Sequence, residues 1–286
     1  MKTVLLYLLI LITSLIPINA DNLRIESKEL STALDKYKTL DTRSSELFLE
    51  GHIKGALNFP VELTYEHQKT NGKISQPLKM QKIIRRLGLS TDDKIAIYSD
   101  GTFFDAARLF WALEVYGFKD LKLLNAGFST WDLDGYETSE SLVKVTPSDY
   151  IAEINSKKLA TKFTTQIATR NPNQIIIDAR NYASYVGEQS SAKRYGHIPK
   201  AINIPASHNL NYAENSAKLK TLTNLQDTYK SINKSKKVII YCAIGRISAT
   251  NYFALRELGY DVSNYDASWK EWGNDVNLPI VTPEKN

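Results

Sequence analysis

Lys236-Lys237-Val238-Ile239-Ile240-Tyr241-Cys242-Ala243-Ile244-Gly245-Arg246-Ile247-Ser248 changes character twice within a few residues. The apolar, β-branched run up to Tyr241 reads as a buried strand. Ala243 to Ser248 then reads as a short loop, and Ala249-Thr250-Asn251-Tyr252-Phe253-Ala254-Leu255-Arg256-Glu257-Leu258 as an amphipathic helix. A thiol at such a strand–loop–helix turn faces backbone N–H groups and the positive end of a helix dipole. Both favour the thiolate, which is the nucleophilic form. Arg246 adds a positive charge to the same loop. Cys242 is the only cysteine among the 286 residues. A lone cysteine is often just a small buried hydrophobe, so its surroundings must decide.

Working outward, the chain pairs with itself in four ordered blocks. Leu40-Asp41-Thr42-Arg43 matches Ile177-Asp178-Ala179-Arg180. Gly51-His52-Ile53 through Asn58-Phe59-Pro60 matches Gly196-His197-Ile198 through Asn203-Ile204-Pro205. Lys94-Ile95-Ala96-Ile97-Tyr98-Ser99 matches Lys237-Val238-Ile239-Ile240-Tyr241-Cys242, and Asn125-Ala126-Gly127 with Trp131 matches Asp266-Ala267-Ser268 with Trp272. Four blocks in one order and at similar spacing indicate a duplicated domain. Within a copy, short apolar strands alternate with amphipathic helices. In the first copy the helices are expected near Lys28–Lys38, Lys79–Leu87 and Ala106–Tyr116, with strands at Ile95–Tyr98 and Leu121–Leu124. That alternation predicts an α/β fold, a mostly parallel sheet with helices on both faces in each copy. Ligands bind beyond the carboxyl ends of such strands, where Cys242 sits. A polar linker is expected around Glu137–Pro147.

The amino terminus has a different character. Met1-Lys2, an apolar run from Val4 to Ile16 and the small-residue site at Ala20 have the layout of a secretory signal peptide. The expected division is a signal peptide at 1–20, a first domain at 21–141 and a second at 142–286. The expected location is therefore periplasmic or secreted, with no stable membrane insertion after signal cleavage. An odd cysteine in an oxidising compartment points to a free reactive thiol. The formal charge is +5 at pH 7, and the lysines are not interleaved with aromatics, so no nucleic-acid partner is expected. With one cysteine and no close histidine pair, no metal site is expected either.

The four blocks resemble the rhodanese family in its exported tandem-domain form, over essentially the whole mature chain. The resemblance implies two rhodanese-like domains, the second catalytic and the first inactive, since Ser99 takes the aligned cysteine position. It implies a sulfurtransferase without cofactor that carries sulfane sulfur on Cys242 as a persulfide. The donor would be thiosulfate or 3-mercaptopyruvate, and the acceptor cyanide or a thiol. Ala243, Ile244, Gly245, Arg246, Ile247 and Ser248 would form the substrate-binding loop. Gly245 would permit the turn, Arg246 would neutralise an anionic donor, and Ser248 would cap the helix and contribute a donor. Arg180 is a further substrate-binding candidate, although its repetition as Arg43 also fits an architectural ion pair. Ala243 and Ile244 match neither the basic loop of thiosulfate-type members nor the Gly-Ser/Thr-Gly-Val-Thr loop of mercaptopyruvate-type ones. His52 and His197, within the repeated block, are expected to be structural. Trp131, Trp269 and Trp272 are expected to pack the core or a domain interface, with Trp269 also a candidate for the pocket border. Two other readings stand beside this one. One is a non-catalytic sulfur carrier or thiol-based binding protein. The other is a cysteine phosphatase, disfavoured because Arg246 follows Cys242 after three residues rather than five.

Overall fold

The computed structural model describes residues 22–67, 71–213 and 216–282, so the signal segment expected at 1–20 lies outside the described residues. The first sheet is built from β1 (Arg24–Ile25), β2 (Lys38–Asp41), β3 (Leu57–Asn58), β4 (Ile95–Ser99) and β5 (Leu121–Gly127). The second uses β6 (Leu159–Ala160), β7 (Gln174–Asp178), β8 (Ala201–Asn203), β9 (Lys237–Tyr241) and β10 (Val262–Tyr265). The spatial orders are β1-β5-β4-β2-β3 and β6-β10-β9-β7-β8, so the two copies have one topology. Every pairing within both sheets is parallel. Helices cover both faces, which is why the central strands β4 and β9 are apolar on both sides rather than alternating.

The repeated blocks form the same hydrogen-bonded knot in each copy. At the carboxyl end of β7, buried Asp178 receives the Tyr241 hydroxyl at 2.6 Å and the Arg180 guanidinium at 2.6 Å. The Tyr241 oxygen in turn accepts the Ile198 amide, and Asn203 Nδ2 donates to the Asp178 and Arg180 carbonyls. Asp41, Tyr98, Arg43, Ile53 and Asn58 repeat these contacts in the first copy. The knot satisfies polar groups that would otherwise be costly to bury, and it fixes where β4 and β9 end.

Some boundaries differ from the sequence reading. The helix expected at Lys28–Lys38 is a turn of helix at Ser27–Ser31 followed by a 3-10 turn at Leu34–Lys36. The Ser31 and Thr32 hydroxyls bond back to the Lys28 and Glu29 carbonyls and end the first piece. Residues 140–158 carry no regular element; Arg85 and Val115 hold them against the first domain through Tyr150, Ser148 and Asn155.

The two domains share one core. Helix α1 (Phe104–Val115) is buried from Ala106 to Val115, and it packs on α2 (Ser248–Glu257), the helix that follows Cys242. Phe110 meets Phe253 edge-on with centroids 4.9 Å apart, and the buried apolar cluster runs through both copies. Each domain also sends an arm across the interface. Residues 61–67 and 71–76 of the first domain reach the Cys242 loop, where Ile74 N donates to Asp266 Oδ2 at 2.7 Å. In the mirror-image contact, Leu219 N donates to Asn125 Oδ1 at 2.8 Å. Leu219 belongs to the antiparallel pair Leu210–Ala213 and Ser216–Leu219 of the second domain.

Candidate active site

Cys242 is the first residue beyond β9 and is 1% exposed, packed among Ala179 and Ala206 with Phe104 and Ile247 against them. Its amide donates to Ser268 Oγ at 3.1 Å, and its carbonyl accepts Trp269 N at 3.0 Å. Ser268 is held at φ 56°, a left-handed conformation unusual for a residue with a side chain. That strain lets one hydroxyl accept from Cys242 N and donate to the Tyr265 carbonyl. Gly245 is at φ 68°, and a Cβ there would lie 2.5 Å from the Asp266 carbonyl oxygen, so no other residue fits.

The amides of residues 243–248 donate to no acceptor among the described residues. Six consecutive amides without an acceptor thus follow the thiol in sequence and lead into the N-terminus of the ten-residue helix α2. Such a nest concentrates partial positive charge and suits a small anion. The equivalent loop of the first domain is partly occupied: the Thr102 amide already donates to the Asp100 carbonyl. Asp100 Oδ1 accepts from Gly101 N and from Ser129 N, and both Asp100 oxygens accept the Ser129 hydroxyl. The second domain's arm also fills the space, with Ala217 N on the Gly101 carbonyl, leaving a cavity of about 10 Å³ beside Ser99.

Ser248 Oγ lies 3.4 Å from Cys242 Sγ and 2.8 Å from Asn264 Oδ1, while Asn264 Nδ2 donates to the Gly245 carbonyl. Ser248 does not cap α2 as expected; the N-cap position is Ile247, with no side-chain cap bond. Arg246, expected to neutralise an anionic donor, is held in an ion pair. Its guanidinium is clamped by Asp105 of the first domain, with Nε–Oδ1 at 2.5 Å and Nη2–Oδ2 at 2.8 Å. The hydrogen bonds to Asp105 raise its pKa above the usual arginine value against the cost of burial.

A pocket of about 310 Å³ opens beside the thiol, lined by Phe104, Ala179, Arg180, Asn181, Ser184, Ser191, Pro205, Ala206, Ser207, Ala243 and Ile247. Of the candidate binding residues, Arg180, Ala243 and Ile247 thus reach the pocket wall, and Ile244, Gly245, Arg246 and Ser248 do not. Arg180 is both architectural and lining: it pairs with Asp178 and lies over the Trp269 ring, 4.6 Å from its centroid, while its buried Nη1 has no hydrogen-bond partner. Burial opposes its charge, but Asp178 more than restores it, raising its pKa above the usual arginine value. Trp269 lies beneath Arg180 rather than at the pocket. His52 and His197 bond to the Phe48 and Tyr185 carbonyls. A larger cavity, about 450 Å³ and lined by Lys73, Lys162, Phe163 and Glu271 among others, reaches the loop only from behind, at Asp266 and Ala267.

Sequence reading missed Asp105, Arg108, Asn264 and Asp266. Arg108 had a signal: it is a lone positive charge within the apolar run Phe103 to Val115.

Comparison with known proteins places this architecture. The family model for the rhodanese-like domain matches residues 26–134 and again 160–275. The chain belongs to the rhodanese family, with two such domains in tandem. A protein of Saccharopolyspora erythraea, provisionally named a thiosulfate sulfurtransferase, is 30% identical over 247 residues, 82% of this chain and 86% of that protein. The sulfur carrier protein TtuD of Thermus thermophilus is 30% identical over 255 residues, 84% of this chain and 88% of that protein. Among solved structures, SseA from Escherichia coli, a 3-mercaptopyruvate sulfotransferase, superimposes with a TM-score of 0.77 at 25% identity, covering 87% of this chain and 100% of that one.

Proposed function

We propose that the chain is a sulfurtransferase in which Cys242 carries the transferred sulfur. The observation that carries this reading is the set of six unpaired amides, 243–248, that follows a single buried thiol. The Cys242 thiolate attacks the outer sulfur of thiosulfate. A new S–S bond forms, the old one breaks, and sulfite leaves with its electron pair. The resulting persulfide anion sits in the amide nest, which stabilises negative charge as an oxyanion hole does. A nucleophile, cyanide or a thiol, then takes the outer sulfur and returns the thiolate, a ping-pong sequence. 3-Mercaptopyruvate serves as a donor when the thiolate attacks its sulfur: the new S–S bond forms as the C–S bond breaks, and pyruvate leaves as its enolate with the electron pair and then takes up a proton. Either donor meets a pocket wall of hydroxyls from Ser184, Ser191 and Ser207 with Arg180 behind them. The pocket shows no unpaired surface cation, which suits a small donor held largely by neutral hydrogen bonds.

The relatives' names support both donors and also a carrier role. A carrier needs the same persulfide nest but hands its sulfur to a protein. A phosphatase reading loses ground, because the Asp105 clamp leaves Arg246 unavailable for a phosphoryl group. The amino-terminal segment supports export to the periplasm or outside the cell; fractionation of cells making the full chain tests this.

The functional test is intact-mass analysis after thiosulfate treatment. The wild type should gain roughly 32 Da, one sulfur, and Cys242→Ser should gain nothing, because a hydroxyl forms no persulfide. An equal gain in the serine variant overturns the assignment. Steady-state turnover with thiosulfate and 3-mercaptopyruvate side by side, using cyanide and a small thiol as acceptors, then separates enzyme from carrier.

A further inference from the structure

Arg108 lies on α1 of the first domain and is fully buried, yet no carboxylate holds it. Its Nε donates to Thr64 Oγ1 at 3.3 Å, Nη2 to the Gly72 carbonyl at 3.0 Å and Nη1 to the Gly245 carbonyl at 3.1 Å. The guanidinium lies over the rings of Tyr65 and Trp111, 4.4 Å from each centroid. Burying a cation without a counter-ion is expensive, and a removed partner normally leaves an unstable fold. Here the nearby negative charges are committed elsewhere. Asp105 is clamped by Arg246, and Asp266 accepts the amides of Ile74 and Ala267. The remaining group close enough for its charge to be felt, besides the neutral Tyr65 phenol, is Cys242.

Arg108 and Asn264 both donate to the Gly245 carbonyl, so two side chains fix one peptide unit of the cysteine loop. The left-handed Gly245 permits the turn there, and the neighbouring loop amides keep no acceptor among the described residues.

We propose that Arg108 is a positioning residue for sulfur transfer, holding the cysteine loop as an anion nest and lending its charge to the sulfur anion on Cys242. The first domain, whose own loop is blocked, thereby takes part in the chemistry of the second. This rests on Cys242 being the reacting thiol, but the test reads the thiol directly and needs no sulfur donor.

Iodoacetamide labelling of Cys242 would be followed from pH 5 to 10 in the wild type, Arg108→Met, Arg108→Lys and Glu114→Gln, with melting curves for each. Glu114 binds Arg256 and Tyr252 in the same interface, away from the loop, and controls for general loosening. Arg108→Met should move the labelling curve to higher pH and slow labelling near pH 7 on the order of tenfold, because the thiolate is the form that is alkylated. Arg108→Lys should fall between, because it keeps a charge but cannot span Thr64, Gly72 and Gly245 together. Glu114→Gln should melt earlier with an unmoved curve. A wild-type curve in Arg108→Met overturns the proposal, as does an equal shift in Glu114→Gln. If the methionine variant does not fold, a lysine variant matching wild type in both curve and rate overturns it.

Discussion

Ser248 Oγ has one proton and two neighbours that want it. With Cys242 as a thiol, the proton belongs to Asn264 Oδ1 at 2.8 Å, and Ser248 Oγ can accept from the S–H at 3.4 Å. Once the sulfur is an anion, the same hydroxyl can turn and donate to it. Ser248→Ala removes that choice while leaving the six amides in place. Turnover at saturating donor should drop roughly tenfold, the worth of one hydrogen bond to a charged group at about 1.5 kcal/mol. Steady-state kinetics check this, and unchanged turnover would show that the amide nest alone suffices. Replacing Arg246 is a different matter. Its bidentate pair with Asp105 makes it a hinge pin between the domains more than a contact for the donor.

At the scale of elements, the two cysteine-position loops diverged by what fills them. Beside Ser99 the Asp100 carboxylate takes the Gly101 amide, and the second domain's arm closes on the same loop through Ala217 N and the Gly101 carbonyl. Ser99→Ala should therefore keep near wild-type turnover. A loss on the order of 100-fold, about 2.7 kcal/mol of barrier, would mean that the first domain reacts. The duplicated parallel architecture and the place of Cys242 at the end of a strand were legible in the sequence, because the Asp-x-Arg, Gly-His-Ile, Asn and Tyr positions recur and each has a partner within its own copy. The Asp105 clamp, the Arg108 contact and the crossed arms were not. They join residues 94 to 192 positions apart, at positions where the copies differ, and periodicity within one element carries no trace of such pairings. The ion pair of Arg246 was hidden for this reason: its partner lies in the other domain. Helix α1 was legible in extent but not in consequence, since an apolar run with one arginine reads as a core helix until the arginine's acceptor is seen.

For the whole molecule, the continuous core means that the two domains stand or fall together. Phe253 packs edge-on against both Phe103 and Phe110 across the interface, at 5.5 and 4.9 Å. The Arg24–Glu257 and Arg256–Glu114 pairs flank that seam. Phe253→Ala should cost about 3–5 kcal/mol by leaving a cavity there. Calorimetry should show one transition moved to lower temperature for the whole chain. Two resolved transitions would show that each half has a sufficient core of its own.

The crossed arms also impose an order on synthesis. A ribosome releases residues 61–76 and Arg108 long before Cys242, and domains fold amino-terminal first as the chain emerges. The surface that receives the cysteine loop can thus be ready when β9 arrives. The arm that blocks the Ser99 loop comes out earlier than the thiol as well, by the distance from Leu219 to Cys242. The newborn protein consequently closes its unreactive loop first and gains its nucleophile last, on a platform already built to hold a sulfur anion.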